Sequence, residues 1–94
     1  MGDRFYAIKN EEFQELVSDL VQTRGIDWVK WAPLIGGNER DAFEAQTRAG
    51  LDPSFRIWEM DEAGNQIPAL ARESHHPILF VAPEAKNLQT RGFD

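Results

Sequence analysis

The stretch that decides the fold opens with Trp31-Ala32-Pro33-Leu34-Ile35 and closes with Gly92-Phe93-Asp94. Between these ends, short motifs follow one another in a fixed order, without an internal repeat or a low-complexity segment. The motifs are Glu39-Arg40, Phe43-Glu44, Phe55-Arg56-Ile57-Trp58-Glu59, Gly64, Pro68-Ala69, Arg72, His76-Pro77-Ile78, Ala82-Pro83 and Asn87. Nothing else in the chain points to a chemistry, so this ordered set is its most informative feature.

The order and spacing of these motifs resemble the CHASE domain. That domain is the extracytoplasmic sensing module of bacterial diguanylate cyclases, phosphodiesterases and histidine kinases, and of plant cytokinin receptors. The resemblance covers about residues 13–94. It implies an α+β, PAS-like fold: a sheet flanked by helices, preceded by a long helix and placed outside the cytoplasmic membrane between two transmembrane helices. It also implies small-ligand binding, with adenine-type cytokinins as the ligands of the plant receptors.

The family domain continues past the position that Asp94 occupies. The resemblance therefore implies that residues 1–94 are a single partial domain, about half of the family domain, in the order helix-strand-helix-strand-strand. An incomplete sheet leaves an open edge of unpaired N–H and C=O groups. We therefore expect weak ligand binding and self-association, most simply as a two-fold homodimer.

The resemblance also assigns residues to a ligand site and to structural motifs. Ligand contacts are expected from the sheet face with Ile78 and Phe80, from the segment near Trp31, and from the polar groups of His76 and Asp94. His76 stands where the family usually has an aromatic residue. The structural motif residues are Pro33, Arg40, Phe43, Glu44, Arg72, Pro77, Asn87 and Gly92.

Size, charge and composition exclude several classes of protein. Ninety-four residues suit one domain. The net charge of −6 and the scattered lysines and arginines argue against a nucleic-acid partner. The absence of cysteine excludes a disulfide framework and a thiolate zinc site. We see no run of about 20 apolar residues to span a membrane and no leader, so this chain by itself is expected to be soluble.

Apolar periodicity predicts a first helix that starts after the capping residue Asn10 and stops at Gly25. Its stripe consists of Phe13, Leu16, Val17, Leu20 and Val21. If that stripe is buried, Leu16→Ala is expected to cost about 2–4 kcal/mol.

A second helix is predicted from Glu39 to about Ala49, with Asn38 as its cap and Asp41 at the third position. A weaker stripe of mostly small residues is expected to face the sheet. It consists of Ala42, Phe43, Ala45, Gln46 and Ala49.

Alternating apolar residues predict strands over 26–31, 55–60 and 76–81, with a short edge strand over 67–70 that Pro68 weakens. Residues 61–65 carry the turn chemistry of a hairpin. Residues 83–94 show no period and are expected to form a loop.

The motifs of enzymes are absent. The chain has no glycine-rich phosphate loop and no nucleophile elbow, and we expect neither catalysis nor a cofactor. His75-His76 with Glu73 is the one cluster of metal-ligand residue types. Neighbouring strand residues point to opposite faces, so we expect no metal site, with one histidine packed against the sheet and the other solvated.

Two further groups have alternative interpretations. Arg40 and Glu44 lie four residues apart on the second helix. Three roles are open for them: a structural anchor for the loop at Trp31–Pro33, contacts to a ligand, or an exposed ion pair. The tryptophans Trp28, Trp31 and Trp58 suit core packing, and the alternative is an aromatic platform for a ring-shaped ligand.

The resulting hypothesis is an extracytoplasmic, ligand-sensing region of a membrane-anchored signalling protein, either a cyclic-di-GMP enzyme or a histidine kinase. Its ligand is an unknown small molecule. The alternative is a dimerisation or protein-interaction module without a small ligand. A convergent pocket with polar groups favours the sensor, and a flat apolar interface favours the interaction module.

Overall fold

The computed structural model describes residues 8–94 of the chain. These residues form short antiparallel strand pairs with helices packed beside them. The helices are α1 (Asn10–Thr23), α2 (Arg40–Gly50) and α3 (Glu84–Asn87). The strands are β1 (Val29–Trp31), β2 (Ile35–Gly36), β3 (Trp58–Met60), β4 (Gln66–Pro68), β5 (Ser74–His75) and β6 (Phe80–Ala82). Single 3-10 turns cover Gly37–Glu39 and Leu88–Thr90. The predicted α+β class is confirmed.

The strands of the described residues pair two by two rather than in one continuous sheet. β1 pairs with β6, β2 with β5 and β3 with β4, each time antiparallel. The turn between β3 and β4 is the predicted hairpin, because the Asp61 carboxylate accepts the backbone N–H groups of Ala63 and Asn65. A PAS-like sheet stays a prediction.

Prolines explain why the strands are shorter than their apolar patterns. The pattern 76–81 predicted one strand, but Pro77 has no N–H to donate, and pairing divides into β5 before it and β6 after it. The pattern 26–31 pairs only from Val29 onward, since Val29 lies opposite Ala82 and the next residue is Pro83. The edge strand ends at Pro68 rather than at residue 70.

Two other segments also differ from expectation. The strand predicted over 55–60 begins only at Trp58, because the N–H of Ile57 donates to the Glu44 carboxylate instead of to a neighbouring strand. The predicted loop at 83–94 contains α3 and a 3-10 turn. The Asn87 side chain stabilises this short helix by donating to the Pro83 carbonyl over 2.7 Å.

Helix α1 packs on β6 through only part of its apolar stripe. Phe13 and Val17 are buried, whereas Leu16 is 69% exposed and Leu20 is 39% exposed. The expectation of a fully buried stripe was therefore wrong at Leu16 and Leu20, since β6 is a three-residue strand that covers a narrow band of the helix. Gly25 ends this region in the left-handed conformation, as predicted, with φ of 72°.

The predicted Asn10 cap was also wrong, because Asn10 lies inside α1. The backbone N–H of Lys9 donates to the Glu12 carboxylate instead. The Asn10 amide donates to Glu84 on α3, and Gln14 donates to the Val81 carbonyl over 2.8 Å. These two side chains join α1 to the strand and helix that it covers.

We predict that Leu16→Ala changes the free energy of unfolding by no more than about 0.5 kcal/mol, as exposed sites usually do. The neighbouring change Val17→Ala should cost about 2 kcal/mol, because it removes buried apolar surface. Urea denaturation of both variants measures the difference. An equal or larger loss for Leu16→Ala would contradict the observed orientation of α1.

Helix α2 buries a different face from the one predicted. Phe43 and Thr47 are fully buried and Glu44 is nearly so. The predicted stripe was wrong at its small residues, since Ala42, Ala45 and Ala49 are exposed. The predicted Asn38 cap is replaced by a 3-10 turn that runs directly into the helix at Glu39.

One apolar core joins α1, α2 and the strand pairs. It consists of Phe13, Val17, Ile35, Phe43, Phe55, Ile57, Ala69, Leu79, Phe80 and Ala82. Phe43 and Phe55 meet edge to face at 5.6 Å between ring centroids. Within residues 8–94, no helix has the length and apolar character needed to cross a bilayer.

Candidate functional site

Residues 92–94 lie between the β3–β4 hairpin and the segment before β6. On one side, the Trp58 N–H donates to the Gly92 carbonyl, and the Asp94 N–H donates to the Trp58 carbonyl. On the other side, the Gly92 N–H donates to the Ile78 carbonyl, and the Ile78 N–H donates to the Phe93 carbonyl. This segment therefore connects two parts of the fold that share no strand pair.

Gly92 is required for that position. Its φ is +93°, a conformation that side chains other than glycine rarely adopt. A Cβ atom at Gly92 would also collide with the Arg56 carbonyl oxygen. Both constraints favour glycine at position 92, where the chain passes close to Arg56.

A cluster of charged and polar side chains surrounds that carboxylate. Asp94 accepts the His76 backbone N–H over 2.6 Å and lies 2.6 Å from Nδ1 of His75. Arg72 approaches the same carboxylate at 3.6 Å and also pairs with Glu59 of the hairpin. We call Glu59, Arg72, His75 and Asp94 the Asp94 cluster.

The two neighbouring histidines differ in burial. His75 is 1% exposed and is held in β5, whereas His76 is exposed. This confirms that one histidine packs inside and the other is solvated. The ring atom Nε2 of His75 has no hydrogen-bond partner among the described residues. A buried nitrogen without a hydrogen-bond partner lowers the stability of the fold. His75 is therefore the residue of the cluster with an unmet hydrogen-bonding group.

The environment of Asp94 favours its ionised form. Burial opposes the charge, but the hydrogen bonds from His75 and from the His76 backbone, together with Arg72, outweigh it and hold the pKa of Asp94 below its ordinary value. Asp94 is therefore a carboxylate at neutral pH. It presents an anion next to the partly exposed Arg72.

We predict a pH dependence from this pKa. Because the pKa of Asp94 is lower in the folded chain than in the unfolded chain, its stabilising effect is complete above about pH 4. The effect is lost as the pH falls through the lowered value. Asp94→Asn should destabilise the fold near neutral pH, and its further loss of stability as the pH falls below about 4 should be smaller than that of the original chain.

Urea denaturation at several pH values measures this difference. The control is Asp41→Asn, which changes an exposed carboxylate on α2. Identical pH dependence in the original chain and in Asp94→Asn would show that Asp94 does not contribute in this way.

The structure brings the expected ligand-contact residues together in two groups. Trp31 and Phe80 lie opposite each other in the β1–β6 pair, and their rings stack with centroids 5.3 Å apart. Phe80 is 1% exposed and also contacts Phe13. Because Phe80 is almost fully buried among neighbours that include Phe13 and Trp31, a ligand would reach its ring only after a neighbouring side chain moved.

The second group contains His76, Ile78 and Asp94. His76 and Ile78 each form backbone hydrogen bonds with residues 93–94, and Ile78 is half-buried. Because residues 76–80 connect this group to Phe80, the two groups lie along one continuous segment. The role of these five residues as ligand contacts remains a prediction.

Arg40 and Glu44 hold α2 to the centre of the fold. Arg40 donates to the Ala69 and Ile57 carbonyls at 2.6 and 3.3 Å, and its Nε lies 3.5 Å from the Glu44 carboxylate. These carbonyls, rather than the loop at Trp31–Pro33, are its partners. Of the tryptophans, Trp58 is buried, Trp31 is half-buried and Trp28 is 55% exposed, so the core-packing interpretation was wrong for Trp28.

The remaining motif residues have structural surroundings. Pro33 and Pro77 are buried next to strand ends, and Phe43 is in the core. Asn87 holds the short helix α3. Among the described residues, no group of three or more histidine, cysteine, aspartate or glutamate side chains is arranged to hold a metal ion.

Sequence reasoning missed the role of His75 and the pairing of Arg72 with both Glu59 and Asp94. In the sequence, only the neighbouring pair His75-His76 and the nearby Arg72 indicated that a charged cluster could form here. Their convergence depends on the course of residues 92–94, for which the sequence has no periodic pattern.

The described residues thus form an α+β domain with a partly buried charged cluster around Asp94. The family model described as CHASE domain matches residues 6–94. The chain therefore belongs to the CHASE domain family, whose members are extracellular sensor domains of signalling proteins rather than catalytic domains. Neither a curated protein nor a solved structure shows significant similarity to the chain.

Proposed function

We propose that this chain is the periplasmic ligand-sensing region of a membrane-anchored signalling protein, with a cyclic-di-GMP enzyme or a histidine kinase as the output. The family match over residues 6–94 is the single observation that carries this proposal. A ligand acts in such a protein through different affinities for two arrangements of the domain.

The Asp94 cluster is the part of the described chain best suited to respond to a ligand. Arg72 has a side chain that is 43% exposed, so a ligand acceptor atom can reach its guanidinium group. A ligand that drew Arg72 away from Asp94 would weaken the contact between residues 92–94 and their neighbours. Residues 92–94 join the hairpin to the segment before β6. The movement of Arg72 would therefore affect the hairpin and that segment together.

The location of the chain is tested with alkaline phosphatase inserted after Asp94 in the native gene product. This reporter needs disulfide bonds and is active only in an oxidising compartment. We expect activity in intact cells, at the level of a secreted control. Activity at the level of a cytoplasmic control would contradict the extracytoplasmic proposal.

Ligand binding is tested by thermal unfolding in the presence of isopentenyladenine, an adenine-type cytokinin. We expect a saturable rise in melting temperature, reduced in His76→Ala because the exposed imidazole is an expected ligand contact. Lys86→Ala is the matched control, since Lys86 is also exposed but lies on α3. No shift in the original chain would exclude this class of ligand at the site.

The alternative function, a dimerisation or interaction module, has its own supporting observation. Several large apolar side chains of the described residues are strongly exposed, among them Leu16, Trp28, Leu34 and Leu70. Exposed apolar patches drive association, and a homodimer is the simplest form. Light scattering at micromolar concentration distinguishes a dimer from a monomer, and Leu16→Asp should dissociate a dimer that uses α1.

A further inference from the structure

An open cleft of about 260 Å³ lies beside the β3–β4 hairpin, between residues 52–56 and the 3-10 turn Leu88–Thr90. None of the four residues of the Asp94 cluster lines this cleft. The cleft is therefore a separate location from the site described above. Its volume suits a small ligand of several heavy atoms, since one water molecule occupies about 30 Å³ in the liquid.

The lining of the cleft is mostly polar, with two buried aromatic residues and one leucine among its residues. Phe55 and Trp58 are buried, and the indole N–H of Trp58 donates to the Arg91 carbonyl over 2.8 Å. Leu88 is 46% exposed at the edge of the same cleft. The polar lining, with Leu88 as its exposed apolar residue, suits a small ligand that carries charged groups.

The rim carries a cation that has no partner. Among the described residues, the Arg56 guanidinium forms no hydrogen bond and no ion pair, although acidic side chains outnumber basic ones in this protein. By contrast, Arg91 in the same lining is buried and already donates to the Leu79 carbonyl and to Glu84. Arg56 is thus the guanidinium of this cleft that is available to bind an anion.

The rim also carries an available anion. Both hydrogen bonds that Ser54 donates to the Asp52 carboxylate end on Oδ1, so Oδ2 accepts no hydrogen bond from residues 8–94, although the positive charge of Arg91 also acts on this carboxylate. These hydrogen bonds, first that of the Ser54 hydroxyl, lower the pKa of Asp52, so the group is ionised at neutral pH. Asp52 and Arg56 line one cleft and yet form no ion pair with each other.

We propose that this cleft is a binding site for a small zwitterion, a molecule that carries both a carboxylate and an ammonium group, as a free α-amino acid does. Arg56 binds the carboxylate through its two-pronged guanidinium. Oδ2 of Asp52 accepts the ammonium group. The side-chain amides of Gln66 and Gln89, which have no hydrogen-bond partners in the described part of the chain, complete the polar rim. An apolar substituent of the ligand lies against Leu88.

Isothermal titration calorimetry with L-leucine tests the proposal. Two matched probes each lack one charged group: 4-methylpentanoate has no ammonium group, and 3-methylbutylamine has no carboxylate. L-leucine should bind at least about tenfold more tightly than either probe, because each charge-assisted hydrogen bond contributes at least a factor of ten.

Variants assign the two contacts. Arg56→Gln should weaken L-leucine about tenfold or more and leave 3-methylbutylamine unaffected, whereas Asp52→Asn should weaken L-leucine and leave 4-methylpentanoate unaffected. Lys86→Gln and Asp41→Asn are the matched charge controls outside the cleft. Arg56 has no partner to lose and asparagine preserves the Ser54 contacts, so circular dichroism should show unchanged folding.

Undetectable binding of L-leucine at 10 mM, about the weakest affinity that calorimetry resolves, would overturn the proposal. So would equal affinity for all three probes, or affinity that is unchanged by Arg56→Gln. None of these results bears on the Asp94 cluster or on the extracytoplasmic location. The phosphatase and cytokinin experiments therefore remain independent tests of the proposed function.

Discussion

Replacing Phe80 with alanine should lower the free energy of unfolding by about 3–5 kcal/mol, the range found for buried phenylalanines. Phe80 is almost fully buried and contacts the rings of Phe13 and Trp31. The change would open a cavity where α1 meets the β1–β6 pair. The lost ring lies where β6 contacts both α1 and β1.

Urea denaturation monitored by circular dichroism measures the loss. The control is Leu70→Ala, which shortens a side chain that is 62% exposed and should change the stability by no more than about 0.5 kcal/mol. Similar losses in the two variants would mean that Phe80 is not at the centre of the core.

Glu44→Ala should cost about 3 kcal/mol, because it breaks a nearly buried ion pair from one side. The Glu44 carboxylate accepts the Ile57 N–H over 2.8 Å and lies 3.5 Å from Arg40. Its removal leaves the Ile57 N–H without an acceptor inside the protein and leaves Arg40 without a counter-charge. Each loss carries a desolvation cost.

Two further variants separate these effects. Glu44→Gln preserves an acceptor for the Ile57 N–H, and its loss of stability should be smaller than that of Glu44→Ala. Glu15→Ala, at an exposed position of α1, should have little effect on stability. If Glu15→Ala and Glu44→Ala lost the same stability in urea, the buried pairing of Glu44 would be refuted.

Helices α1 and α2 could be predicted from the sequence, but the short helix α3 was predicted as a loop, and the buried faces of α1 and α2 could be predicted only in part. Apolar residues such as Phe13 and Val17 recur at the spacing of one helical turn. This spacing follows from local helix geometry, so the sequence pattern predicts it well. The width of the buried face depends on what covers the helix. Here the cover is a three-residue strand, so Leu16 and Leu20 remain exposed.

The strands were harder to predict because pairing is not a local property. Alternation identified the regions around β1, β3, β4 and β6. It did not predict that the two residues Ser74–His75 would pair with β2 while the apolar segment after Pro77 pairs with β1 only from Phe80, or that a side-chain carboxylate would take the N–H of Ile57. β2 has only two residues, too few to show any alternation.

The sequence named some residues at the Asp94 cluster, but it did not predict how they meet, and their role as ligand contacts stays a prediction. Asp94, His76 and Arg72 were named from the family motifs, yet their convergence depends on backbone hydrogen bonds of residues 92–94. His75 was left as one of two equivalent histidines, because a sequence does not report which neighbour faces inward. The cleft with Arg56 could not be predicted from the sequence, since its lining residues come from three separate segments and only one of these is a family motif.

The arrangement of residues 92–94 also constrains the order of folding. β1 and β6 come from opposite halves of the chain, and Asp94 pairs with Trp58 across a long separation in sequence. Non-local contacts of this kind require large loops to close before they contribute stability, which slows folding relative to helical proteins of the same size. α1 and α2 can form early from local contacts, but the Asp94 cluster assembles only when the last segment has docked. The Asp94 cluster therefore forms late in folding and is present only in chains that have folded completely.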